Sequence, residues 1–250
     1  MTSNSGRRIL IALDVHSANE AELSTLISIA RRLDASLAGL YIEDSQLMSV
    51  AGLPFSTEIN YLSAEERLLE PEELLRINKI ASARARQLLE QLTSREKLSW
   101  TFTVESGELA ALALAHQGCD VFFPGRGRSR FNRSYDSISA RQQLTLIYHN
   151  AEAFDRMLEV TRQLSVNGMV SDITIVSETP LPAEIAERLP VQGVRLHFQL
   201  VRSTGPEALP LLKLPRGSVV LMARAALTGM TARQLSELPD QLPYPLMLVE

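Results

Sequence analysis

Two short segments of the chain hold the residues best placed to bind a ligand. Asp14 follows the unbroken apolar run 9–13, which is typical of a strand buried on both faces of a parallel sheet. It therefore stands at the carboxyl end of a strand, the edge where open α/β sheets bind their ligands. Four arginines crowd a loop after a later apolar run and can clamp an anion through forked hydrogen bonds. They are Arg126, Arg128, Arg130 and Arg133. The alternative is a solvated loop whose arginines pair with neighbouring carboxylates.

Residues for other chemistries are scattered or missing from the sequence. The four histidines, His16, His116, His149 and His197, show no metal-ligand spacing. The chain has no nucleophile elbow of the G-x-S-x-G type and no Walker A lysine. A response regulator needs an aspartate after its third strand, where this chain has Glu105-Ser106-Gly107. The single cysteine, Cys119, excludes an internal disulfide, and we expect it to be a buried thiol. The sequence therefore predicts a protein that is not an enzyme.

Composition is that of an ordinary globular protein. The 250 residues are 45% hydrophobic and 22% charged, with a net charge of −4. This acidic balance argues against nucleic acid as a partner. No apolar run approaches the roughly 20 residues needed to span a bilayer, and residues 1–8 lack a signal-peptide pattern. We therefore expect a cytoplasmic protein with no membrane partner.

The first half alternates strands with helical patterns. Residues 18–33, 71–92 and 109–116 have helical spacing, and segments 36–44, 100–104 and 120–123 are predicted strands. In the second helix we expect residues 74, 75, 77, 80 and 81 to begin the buried side. Segment 45–70 fits no simple unit and is predicted to be an ordered excursion over the carboxyl edge.

The pattern restarts at Leu144 and runs β-α-β-α-β-α-β-α-β to the end of the chain. This internal repeat predicts two domains, 1–141 and 142–250. The first lacks a clear fifth strand, because segment 131–143 is polar and rich in Arg and Ser. Its fourth strand would then be an exposed edge that invites pairing. We expect this edge to be covered by segment 131–143 or by the other domain.

The order and spacing of these segments resemble the universal stress protein family, in particular its bacterial members with two domains in tandem. The strand ending in Asp14 and Ser17, the turn Val104-Glu105-Ser106-Gly107, and the glycine-containing loop from Gly125 carry the resemblance. It implies an α/β fold of two tandem flavodoxin-like, Rossmann-like doubly wound parallel sheets with strand order 3-2-1-4-5. The ligand site would lie between strands 1 and 4.

The resemblance also implies particular binding residues. In ATP-binding members, an aspartate after strand 1 and a hydrophobic residue on strand 2 contact the adenosine, which Asp14 and Ile42 match here. A glycine-rich loop holds the phosphates, and its counterpart is Gly125, Arg126, Gly127, Arg128 and Ser129. This loop is one residue shorter than the family pattern, and the distal Gly-Ser/Thr is replaced by Ser134-Tyr135-Asp136-Ser137. In the second half, Asn150 and the segment 223–226 stand at the matching places without aspartate or glycine loop, so no nucleotide site is expected there.

Two functional hypotheses follow. The first is a non-catalytic stress-response protein for binding or signalling, which senses ATP, another adenine nucleotide or an anion in domain 1. The second is a structural pseudo-dimer that acts through protein contacts, with no ligand. Isolated family domains dimerise, so the resemblance implies that the two halves pack as an intramolecular pseudo-dimer. It also makes the whole chain a candidate homodimer.

Overall fold

The computed structural model describes residues 6–17, 20–59, 64, 66–125, 142–166, 168–189, 193–214 and 217–250. The strands are β1 Arg8–Leu13, β2 Ser36–Asp44, β3 Thr57–Ile59, β4 Glu66–Leu68, β5 Trp100–Gly107, β6 Asp120–Phe123, β7 Gln142–Ile147, β8 Val170–Ser177, β9 Arg195–Leu200, β10 Ser218–Ala223 and β11 Leu246–Val249. The α-helices are α1 Glu20–Arg32, α2 Ser45–Ala51, α3 Pro71–Glu96, α4 Leu109–Ala115, α5 Ala151–Val166, α6 Ala183–Glu187 and α7 Ala232–Gln241. Two 3-10 helices span Pro206–Leu211 and Arg224–Leu227.

Nine strands form one continuous sheet across both halves, in the order β5-β2-β1-β6-β11-β10-β7-β8-β9. Every pair is parallel except β6 and β11, which are antiparallel. Counted outward from β11, both halves place their strands in the order fourth, first, second, third. The sequence predicts two sheets, and the structure joins them into one through β11.

Helices cover both faces of this sheet, which makes the fold α/β. One core layer lies between the sheet and residues of α1, α3 and α5, and the other lies between the sheet and α4 and α7. The central strands β6, β10 and β11 are buried at every residue, as their unbroken apolar sequences predict. In the part of the chain that the structure describes, no helix is long and apolar enough to cross a membrane.

The edge of β6 is covered by the C-terminal strand of the second half. Phe123, Phe122 and Val121 lie opposite residues 246–248 of β11, while β11 also pairs with β10. The prediction that this edge is covered is therefore confirmed. Of segment 131–143, the other predicted cover, residues 131–141 lie outside the described residues, and Gln142 and Gln143 begin β7. The polar end of the strand is also held, because the Glu250 N–H donates to Asp120 Oδ1 at 3.0 Å.

Segment 45–70 contains a short helix and a hairpin. The Asp44 carboxylate caps α2 by accepting from the Gln46 and Leu47 N–H groups at 2.8 and 3.1 Å, which satisfies two free donors of the first turn. Strands β3 and β4 then form a separate two-stranded antiparallel sheet. The predicted ordered excursion is therefore regular at both of its ends.

The prediction that α3 buries its apolar side from the first turn is wrong. Leu75, Ile77 and Ile80 are exposed, and the fully buried residues begin at Ala85. The physical reason is length. A 26-residue helix is about 39 Å long at roughly 1.5 Å per residue, whereas the eight-residue β5 spans about 26 Å. The N-terminal part of α3 therefore extends past the sheet.

Candidate functional site

At the first-half edge, Asp14 is held in a tight turn after β1. Its Oδ1 accepts from the His16 N–H at 2.9 Å and from the Ser17 hydroxyl. The Asp14 N–H in turn donates to Ser17 Oγ at 3.2 Å, and the Ser17 N–H donates to the Asp14 carbonyl at 3.3 Å. The carboxylate that the resemblance assigns to adenosine is therefore engaged in local hydrogen bonds.

Gly125 follows β6 at a place where only glycine fits. A Cβ on Gly125 would lie 2.5 Å from the carbonyl carbon of Tyr244 and 2.7 Å from its Cα. Because both atoms belong to the backbone that leads into β11, they cannot move aside as a side chain would. The structure therefore gives this glycine a packing role that the sequence pattern did not reveal.

The N–H of Gly125 donates to the carboxyl group of Glu22 on α1. Burial is the larger influence on this carboxyl and raises its pKa from 4.5 to about 7, while the Gly125 hydrogen bond works in the opposite direction. Its Oε2 is buried and has no hydrogen-bond partner among the described residues. A backbone donor that the resemblance assigns to a phosphate is thus occupied by an acidic side chain.

Of the other predicted site residues, one lies in the core and the rest lie outside the residues that the structure describes. Ile42 is buried in the core layer that includes α4, on β2 beside β1. Asp14 and Gly125 follow the neighbouring strands β1 and β6, so the fold brings these two to one edge. Arg126, Gly127, Arg128 and Ser129 lie outside the described residues, as do Arg130 and Arg133.

A cavity of about 480 Å³ opens at the corresponding edge of the second half. This volume is within the roughly 300–1,000 Å³ range of small-molecule sites. Its walls come from the ends of β10 and β11, the start of α5 and part of α7. The lining residues are Leu114, Asn150, Glu152, Ala153, Arg156, Ala223, Arg224, Ala225, Leu227, Thr228, Leu235, Val249 and Glu250. The missing aspartate and glycine loop predict that no nucleotide site lies here. The space between the elements is visible only in the structure.

The start of α5 forms the polar wall of this cavity. Asn150 accepts the Ala153 N–H through Oδ1 at 2.9 Å and so caps the helix. Asn150 corresponds to Asp14 of the first half, although it follows the first strand of its own half, β7, by three residues. That correspondence, together with the polar residues that follow β10, is the sequence signal that could have located the cavity.

The two cavity arginines differ in their partners. Arg224 donates to the carbonyls of His116, at 2.8 Å, and Leu114, and pairs with Glu250 at 2.6 Å. It is largely buried and ties the end of α4 to the C-terminal residue. Arg156 is exposed and makes no ion pair or hydrogen bond with the described part of the chain. It is therefore the cation available to a ligand.

Cys119 is buried beside this region. Its Sγ lies 3.7 Å from the His116 carbonyl oxygen, and burial raises the pKa of the thiol. The prediction of a buried thiol is confirmed. Within the described ranges, no group of three or more His, Cys, Asp or Glu side chains could hold a metal ion.

Comparison with solved structures finds universal stress proteins among the similar chains. A universal stress protein from Archaeoglobus fulgidus DSM 4304 superposes with a TM-score of 0.53 at 12% identity, over 98% of this chain and 96% of that one. A universal stress protein family member from Burkholderia pseudomallei aligns at 12% identity with a TM-score of 0.26, over 80% of this chain and 99% of its own. Universal stress protein UspA from Lactobacillus plantarum aligns at 11% identity and 0.27, over 78% and 97%.

No protein-family model and no curated protein matches the sequence. The fold assignment rests on the Archaeoglobus protein, which matches along nearly the whole chain. The protein thus has the α/β fold of universal stress proteins.

Proposed function

We propose that this protein is a non-catalytic stress-response binding protein whose ligand occupies the second-half cavity. The observation that carries the proposal is the cavity itself. It is lined by the start of α5, which follows β7, and by the 3-10 helix Arg224–Leu227, which follows β10; these two neighbouring strands send their connections to opposite faces of the sheet. Open α/β sheets bind ligands at such a switch point.

The lining of the cavity favours a small metabolite that carries an anionic group. Arg156 offers a guanidinium without a partner among the described residues, and the 16-residue helix α5 directs its N-terminus to the same wall. Both features attract a phosphate or carboxylate. The apolar side chains of Leu227 and Leu235 suit a flat or aliphatic part of the ligand. An adenine nucleotide has both parts, which makes AMP the first probe.

The residues at the first-half edge are less suited to bind the same anionic ligand. A phosphate at Gly125 would have to displace the Glu22 carboxyl from the Gly125 N–H, and an ionised Glu22 would repel it. Binding at Asp14, Ile42 and the Gly125–Ser129 loop is therefore the second candidate for the ligand site.

A structural pseudo-dimer without any ligand is the alternative function. The shared strand β11 and the two hydrogen bonds from Arg224 to the carbonyls of His116 and Leu114 join the two halves. These contacts suit a protein that acts as a rigid scaffold for other proteins.

A thermal-shift titration with AMP, ATP, cyclic AMP and inorganic phosphate separates these functions. Ligand at about 100 times its Kd stabilises the fold by about 2.7 kcal/mol, which raises Tm by roughly 5–10 °C in a chain of this size. We expect Arg156→Ala to remove most of that rise, and Arg202→Ala, an exposed arginine outside the cavity lining, to leave it unchanged. A response lost in Asp14→Ala but kept in Arg156→Ala would place the ligand in the first half. No response to any probe would favour the scaffold.

A further inference from the structure

Three elements extend from the carboxyl edge of the first half and form one connected unit. We call it the projection; it comprises α2, the β3–β4 hairpin and residues 71–80 of α3. Ser56 joins the first two, because its hydroxyl donates to the Val50 carbonyl at 2.6 Å and its carbonyl accepts the Leu69 N–H at 2.9 Å. Arg67 of β4 pairs with Glu58 of β3 and, at 3.4 Å, with Glu73 of α3.

The projection carries a concentration of exposed apolar side chains. They are Leu47, Val50, Leu53, Phe55, Ile59, Leu68, Leu75, Ile77 and Ile80. Phe55 is 91% exposed and has a φ of +68°, a left-handed conformation that is strained for a bulky residue. Strain that is not offset by burial within the chain points to a functional role for that residue.

The area of this surface matches that of a protein interface. At roughly 180 Å² for a fully exposed large apolar residue, these side chains present on the order of 800 Å². The largest apolar patch on a typical monomer covers about 300–600 Å², and each partner in a stable complex buries about 800 Å². Summed over all its faces, the projection thus exposes an apolar area similar to the area that one partner of a stable complex buries, although Leu75 and Ile77 lie on opposite sides of α3.

Within the described ranges, the hairpin has little support from the rest of the chain. All but one of the six residues of β3 and β4 are exposed, and the two strands have no third neighbour among the described residues. Ile59 and Leu68 share one face by alternation and register, and Arg67 reaches Glu73 from the other face. A two-stranded hairpin is marginal in water, and a further strand or layer on its apolar face would stabilise it.

We propose that the projection is a dimer interface that binds the projection of a second copy of this chain. A two-fold axis brings the apolar faces of two hairpins, which carry Ile59 and Leu68, into contact with each other. The chain already uses antiparallel strand pairing to join its own halves, at β6 and β11.

Charge in the projection favours a copy of the chain over an anionic surface. Acidic residues outnumber basic ones, and Arg67 and Arg76 are paired within the chain. The projection therefore offers little positive charge to a membrane of acidic lipids or to nucleic acid. Apolar contacts dominate the surface, so the dimer should persist in high salt.

Sedimentation equilibrium of the full chain at micromolar concentration tests the proposal. We expect twice the 27.7 kDa mass of the chain for the wild type, and the monomer mass for Ile59→Lys/Leu68→Lys. The matched control is Phe198→Lys/Leu200→Lys, which changes two similarly exposed residues on the edge strand β9 and should remain dimeric. Far-UV circular dichroism and melting curves establish that each variant is folded. Phe55→Asp serves as a second variant at a side chain almost wholly in solvent.

Several results would overturn the proposal. A monomeric wild type would do so, as would a dimer that survives both projection variants. A control that dissociates would assign the interface to β9. A monomer that floats with phosphatidylcholine–phosphatidylglycerol vesicles would assign the projection to a membrane.

Discussion

At the scale of single residues, Glu22 and Gly125 decide what the first-half edge can bind. The sequence marked Gly125 as a loop glycine for a phosphate, but it could not show that residues 244–245 approach its Cα or that Glu22 accepts its N–H. Both contacts join residues distant in sequence. Sequence spacing located Asp14 and Gly125 at the carboxyl edge, whereas the environment that sets their chemistry, including Glu22, depends on the fold.

Glu22 should make the stability of the protein depend on pH. Its pKa is raised to about 7 from 4.5, so the folded protein binds more protons than the unfolded chain between these values. The contribution of Glu22 to the stability of the fold is therefore fully present below about pH 4.5, and it is lost as the pH rises through about 7. Because this carboxyl is only partly buried, we expect the free energy of unfolding to fall by about 1–3 kcal/mol across this pH range.

Chemical denaturation of the wild type and Glu22→Gln at pH 5 and pH 8 measures this effect. The variant keeps an oxygen for the Gly125 N–H and should lose less stability than the wild type between the two pH values. Glu20→Gln, an exposed glutamate in the first turn of the same helix, should behave like the wild type. Equal losses in the wild type and Glu22→Gln would contradict a raised pKa at Glu22.

At the scale of elements, the sequence predicted those whose burial follows from local pattern. The apolar runs of β1, β10 and β11 and the periodicity of α1 and α5 predict elements that the structure contains, with the expected side chains buried. The wrong or missing predictions concern how much of a helix packs on the sheet and which elements enclose a cavity. The apolar residues 75, 77 and 80 predict a core contact for α3, but no sheet lies beneath that part of the helix. The second-half cavity went unpredicted because it is a space between elements and has no motif.

Strand β11 should contribute to the stability of both halves, because it pairs with β6 and β10. Leu248 is fully buried, and Leu248→Ala should lower the free energy of unfolding by about 2–5 kcal/mol. The matched change Leu211→Ala, at an exposed leucine in the 3-10 helix, should cost less than about 0.5 kcal/mol. Tryptophan fluorescence during denaturant unfolding reports on the first half, because the single tryptophan, Trp100, lies on β5, the outer strand of that half. A normal Trp100 transition in Leu248→Ala would show that the halves unfold independently.

At the scale of the whole molecule, one sheet connects two edges that differ in their side chains and in open space. The halves share strand order outward from β11, yet the first-half edge is occupied by an acidic side chain, and the second-half edge has an open cavity with an available arginine. The repeat is visible in the sequence, but which half keeps room for a ligand depends on packing across β11. We therefore propose a division in which the first half contributes the dimer contact and the second half contributes the ligand site.

A crystal structure of the full chain with AMP at saturating concentration tests the central claim most directly. The account predicts the nucleotide in the second-half cavity, with its phosphate near the N-terminus of α5 and the guanidinium of Arg156. Glu22 should remain on the Gly125 N–H in the same crystal. Nucleotide bound beside Asp14 and Gly125, with the second-half cavity empty, would contradict the account.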